Sequence, residues 1–159
     1  MSQALTIVKD LRDGVLSANL VGHIDAGSDY SALQFAGVTQ LHLNFKGITL
    51  INSAGIQKWV KFMQSVPDTV AITFEECPPN IVNQCNLFAN FTGGKKVTFK
   101  SFQAPFFCET CDDSVDILLQ TDQVLSGGKV TIPEPPCPKC QSKMDFDGIE
   151  DKYFLFLTR

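Results

Sequence analysis

Histidine is scarce in this chain: only His23 and His42 occur in 159 residues. Neither has a nucleophile close to it in sequence, so a histidine-based hydrolytic site has little to build on. No G-x-x-x-x-G-K-[ST] loop occurs; the segment TGGKK at 92–96 is too short to cradle a nucleotide phosphate chain. No apolar run reaches the ~18 residues that a membrane-spanning helix needs. The N-terminal stretch MSQALTIVKDLRDG has no basic segment leading into an apolar one, so no secretory signal is expected and a cytoplasmic location is. Disorder is excluded by composition, since 44% of residues are hydrophobic and only 19% charged. That size and composition suit one domain, or a compact domain with a small appended module.

Charge divides unevenly. Residues 1–103 hold eight Lys/Arg against seven Asp/Glu, a net of +1. Residues 104–159 hold five against ten, a net of −5. An acidic C-terminal part repels phosphate backbones, which argues against nucleic acid as a partner. The texture also changes near 103–106: Pro105, Pro133, Pro135, Pro136 and Pro138 follow, with four of the six cysteines. A domain boundary is placed there, giving domains 1–103 and 104–159.

The first part reads as strands alternating with helices. ALTIVKD (4–10), VLSANLVG (15–22), VTQLHLNF (38–45), TVAITFEE (69–76) and KKVTFKSF (95–102) carry strand patterns. Ser28 or Asp29 is placed to cap a short helix ending near Gly37. Gly47 is read as a turn into ITLI. Ile56, Trp59, Val60 and Met63 recur at helical spacing and predict a helix over about 53–66, with Lys58 and Lys61 on its other face. Pro79 suits the first turn of a helix over 79–91, stopped by Gly93-Gly94. The order β-β-α-β-α-β-α-β predicts an α/β fold, a mixed sheet with helices packed on it. Cys77 and Cys85 read as core thiols.

Between the apolar GITLI and the second helix stands the tetrad Asn52-Ser53-Ala54-Gly55. GITLINSAGIQKWV resembles the signature of STAS domains, the anti-sigma-factor antagonist family, in which a strand leads through Asp-Ser-x-Gly into a helix. LVGHID (20–25) is similar to the family's Gly-x-x-Asp at the end of the second strand. ECPPNIVNQCNLFANFTGGKKVTF resembles its last helix, glycine-containing loop and closing strand. The resemblance covers roughly residues 4–103. It implies a non-enzymatic regulator that docks a signalling partner, an anti-sigma-type kinase among the candidates, through a face containing Asp25, Asn52, Ser53, Ala54 and Gly55. It also implies Ser53 as a phosphorylation site, although Asn52 stands where the family has aspartate. The resemblance extends to soluble subunits that dock on a membrane transporter, the alternative role. The residues alone leave three readings of Ser53: a helix N-cap, a docking contact, or a phosphoswitch. Helix N–H groups and the helix dipole favour a phosphate there.

The second part carries two C-x-x-C pairs, Cys108/Cys111 and Cys137/Cys140, with 25 residues between the inner two. Each pair forms a tight turn that aims two sulfurs at one point, and two such turns make the tetrahedral four-thiolate site of structural zinc. The module resembles a zinc ribbon. CPKC is also similar to rubredoxin, whose metal is iron. Rubredoxin-like knuckles commonly carry glycine after the second cysteine, whereas Asp112 and Gln141 follow here, which favours zinc. Gly127-Gly128 is the expected turn of a hairpin. The terminal stretch IEDKYFLFLTR allows a helix or a strand, with a short helix after Asp147-Gly148 preferred and its aromatics packed onto the ribbon or the first domain.

Overall fold

A computed structural model describes residues 3–159. The chain is a mixed α/β fold. Its main sheet holds β1 (Thr6–Arg12), β2 (Val15–Ile24), β3 (Gln40–Ile51), β4 (Ala71–Glu75) and β5 (Val97–Phe99), in that spatial order. β1 and β2 pair antiparallel through the turn at Asp13-Gly14, and all later pairs are parallel. Parallel neighbours need crossovers. Two of these are α1 (Ser53–Ser65) and α2 (Pro79–Leu87), the latter followed after Phe88 by a 3₁₀ turn over Ala89–Thr92.

Alternation decides which face is covered. Leu16, Ala18, Leu20 and Ile24 of β2 are buried, as are Leu41, Leu43 and Phe45 of β3, while Ser17 and Asn19 on the opposite face are exposed. Trp59 of α1 fills the centre of the covered face. Its ring lies 5.5 Å from Phe45 and 5.8 Å from Phe91, and its indole N–H donates to the Phe91 carbonyl at 3.0 Å. α1 turns Trp59, Phe62 and Met63 inward, with Ile56 and Val60 only half-buried.

Three sequence expectations change here. The segment 28–37 forms turns, not a helix. Asp29 accepts from the Ser31 N–H at 2.9 Å, an Asx turn that competes with helix initiation, while Tyr30 and Leu33 are buried as anchors. Gly47 is not a turn. β3 runs through it as one strand, with a bulge opposite Leu20, and a Cβ at Gly47 would lie 2.8 Å from the Val21 side chain. Helix α2 stops at Leu87, four residues short of the sequence estimate, because Phe88 turns extended (φ −121°, ψ 103°) and the chain re-enters a separate 3₁₀ turn over Ala89–Thr92.

The segment expected as one strand over 95–102 divides at Lys100. There the chain leaves the main sheet and enters β6 (Ser101–Cys108), so the position 103/104 lies inside a strand. β6 sits centrally in a second sheet, between β7 (Asp113–Gln120) and β10 (Asp145–Phe146), both antiparallel to it. α3 (Thr121–Val124) leads to the hairpin of β8 (Leu125–Ser126) and β9 (Lys129–Val130). Its turn is Gly127-Gly128, both at positive φ, as a two-residue hairpin turn requires. The chain closes with α4 (Glu150–Tyr153) and α5 (Leu155–Thr158). They return to the first sheet's helices: Asn86 of α2 donates to the Tyr153 carbonyl at 2.8 Å and accepts from the Phe156 N–H at 2.8 Å. Phe156 packs edge to face on Phe99 and Phe102, joining both sheets in one core. No helix among the described residues is long and apolar enough to cross a membrane.

Candidate metal centre and strand-to-helix hinge

The first C-x-x-C pair is the turn of the β6–β7 hairpin. β6 delivers Cys108 at its end, and the chain reverses through Cys111 into β7. The second pair lies in the loop before β10, held by the Cys137 N–H to the Ser142 carbonyl at 2.7 Å and the Gln141 N–H to the Cys137 carbonyl at 2.9 Å. Lys139 of the second loop reaches Asp113, the first residue of β7, at 2.8 Å, tying that loop to the first hairpin.

All four sulfurs converge to within 4.8 Å of one another. Cys108 and Cys140 are 3.5 Å apart, and Cys111 and Cys137 3.9 Å. A tetrahedral ion with bonds of ~2.3 Å sets its sulfurs ~3.8 Å apart. These two spacings bracket the tetrahedral value, and the four sulfurs lie close enough together to hold a metal ion. Backbone N–H groups already address two sulfurs, Cys111 N–H to Cys108 and Lys139 N–H to Cys137, each at 3.4 Å. The thiols respond unequally to their crowding. Hydrogen bonds from Ser142 push Cys140 down to about 6, while the hydrogen bond with Cys140 pushes Cys111 up to about 12. Four thiols so close resist joint ionisation unless a cation neutralises them. Cys77 and Cys85 are excluded from the cluster. Both are buried, and burial pushes Cys85 up to about 12 and Cys77 up as well.

Asp112 (φ 51°) and Gln141 (φ 66°) both adopt the left-handed conformation that glycine would take. Their side chains therefore leave the knuckle backbone unchanged, and the missing glycines do not discriminate zinc from iron.

The hinge is built differently from the sequence expectation. The N-cap of α1 is Asn52, not Ser53. Asn52 is extended (φ −121°, ψ 174°), and its side-chain oxygen accepts from the Gly55 N–H at 2.9 Å. Ser53 is the first helical residue and exposed, as is Ala54. Gly55 is fixed by packing: a Cβ there would lie 2.1 Å from the Ile24 carbonyl oxygen. This contact presses the helix N-terminus against the end of β2, where Asp25 begins. Asp25 forms an Asx turn to the Gly27 N–H at 2.9 Å, and Ser28 locks it by hydrogen bonds to the Asp25 N–H at 2.9 Å and the His23 carbonyl at 3.3 Å. Lys58 donates to the Ser28 carbonyl at 3.2 Å, fastening the loop to α1. Asp25, Asn52, Ser53, Ala54 and Gly55 thus meet at one end of the sheet. Four of them were legible as a hinge, but the latching roles of Ser28 and Lys58 were not, because nothing local in sequence pairs them.

His23 accepts from the Gln3 N–H at 3.1 Å, and His42 lies 3.3 Å from Glu75. No model of a known protein family matches the chain, and no curated protein is significantly similar to it.

Proposed function

We propose that the chain is a non-enzymatic docking module of STAS type, whose contact surface is the hinge formed by Asp25 and Asn52–Gly55, and whose C-terminal part is braced by a structural zinc ion. The observation that carries the docking role is the rigid exposure of Ser53. Its hydroxyl is not consumed as the cap, because Asn52 fills that role. It stands on the first turn of a 13-residue helix with no acidic residue there. A phosphate on Ser53 gains from the N-terminal dipole and adds about −1.5 to −2 charges to the contact face. An acidic or apolar partner is released by that charge. The partner is a signalling protein such as an anti-sigma-type kinase, in a cytoplasmic setting.

Zinc is the metal this reading assigns to Cys108, Cys111, Cys137 and Cys140. Four thiolates suit it, and a closed four-protein-ligand site stabilises rather than catalyses. Elemental analysis of protein purified without chelator tests the assignment: one colourless zinc per chain is expected, and red iron-bearing protein contradicts it. The docking role is tested by capture from the native cell with wild type, Ser53→Asp and, as a control at an exposed serine of β8, Ser126→Asp as baits. A signalling protein retained by wild type and Ser126→Asp but lost by Ser53→Asp supports it. Identical capture by all three contradicts it.

A further inference from the structure

A cleft of about 420 Å³ opens beside β5, where the 3₁₀ turn, α3 and α5 meet. Lys95, Lys96 and Arg159 line it, and no Asp or Glu does. In a chain of net charge −4 this is a local reversal of sign. Lys95 is compensated from outside by Asp68 at 2.5 Å, a carboxylate that is itself 91% exposed. Lys96 takes part in no ion pair among the described residues. Arg159 donates to the carbonyls of Cys85 (3.2 Å) and Asn86 (2.9 Å), which orients its guanidinium without neutralising it.

The rest of the wall is different in kind. Phe99 and Phe156 meet edge to face at 4.9 Å, and Phe88 stands 46% exposed beside them. An aromatic ring left this open at a concave site gains by contact with an apolar body. A bare inorganic anion leaves the aromatic wall wet. A neutral apolar molecule leaves Lys96 unpaired. Only a ligand with both ends satisfies both parts of the wall.

We propose that this cleft binds a small amphipathic carboxylate, its charge toward Lys96 and Arg159 and its aromatic or aliphatic body against Phe88 and Phe99. The site is independent of the hinge and of the metal. The test is titration of the isotope-labelled full chain with phenylacetate, followed by amide NMR shifts, with phenylacetamide and inorganic phosphate as comparison ligands. Phenylacetate should give saturable shifts at Phe88, Lys96, Thr98 and Leu125, with a dissociation constant on the order of 1 mM or tighter for so small a ligand. Phenylacetamide and phosphate should each bind at least ~10-fold more weakly. Lys96→Glu, at an exposed position, should weaken phenylacetate by ~10-fold or more with the remaining spectrum unchanged. If Lys96→Glu perturbs the fold, Lys96→Gln serves in its place. Absence of saturable shifts, equal binding of the amide or of phosphate, or wild-type affinity in the Lys96 variant would overturn the proposal.

Discussion

At the hinge, two adjacent residues share work that one was expected to do. Asn52 satisfies the helix N-terminus, and Ser53 is left facing solvent. The two substitutions should therefore separate. Asn52→Ala should lower stability by about 0.5–2 kcal/mol as a lost cap, whereas Ser53→Ala should stay within about 0.5 kcal/mol of wild type. Urea melts of both variants check this, and a larger loss for Ser53→Ala would return the cap to Ser53. The tetrad was legible as a strand-to-helix hinge because apolar strand, polar tetrad and helical spacing follow one another. The cap's identity was not, since Asn and Ser cap equally well and the choice turns on one residue of helix start. The need for Gly55 was also hidden, because it arises from the Ile24 carbonyl, thirty-one positions earlier in the chain.

Among the elements, the knuckles were the most legible. C-x-x-C spacing dictates that each pair turns, and the structure places one turn between β6 and β7 and the other before β10. What spacing does not encode is that β6 carries the first pair directly out of the first sheet's last strand. The false helix at 28–37 has an equally local cause. Tyr30 and Leu33 have helical spacing after a capping residue, but Asp29 closes an Asx turn that ends the pattern at once. Metal and hairpin should fail together. Cys111→Ser should reduce bound metal from one ion per chain to a small fraction and lower stability by ~3 kcal/mol or more, a drop of about 10 °C in Tm for a chain of this size. Metal analysis alongside calorimetry checks it, and full metal content with an unchanged Tm in the variant would contradict four-cysteine ligation.

For the molecule as a whole, the two sheets share a core at Phe99, Phe102 and Phe156, so they should unfold as a unit. Phe156→Ala should destabilise both by about 3–5 kcal/mol. The single Trp59 reports on the first sheet and metal release on the second; coincident urea transitions are expected, and separated ones would show independent modules. Alkali should act on the same core. Burial raises Cys85 from 9.0 to about 12 and raises Tyr153 too. Below pH 9 the thiol is protonated in both the folded and unfolded chain, and its contribution is complete. Above it the unfolded chain releases protons first, so stability should fall steadily toward pH 12, as a pH series of urea midpoints will show. The most direct test of the docking role is a binding isotherm for the purified captured partner against wild type, Ser53→Ala and Ser53→Asp. Ser53→Asp should bind at least ~10-fold more weakly than Ser53→Ala at equal fold stability. Equal affinity of all three would remove Ser53 from the contact surface and leave the hinge a structural joint.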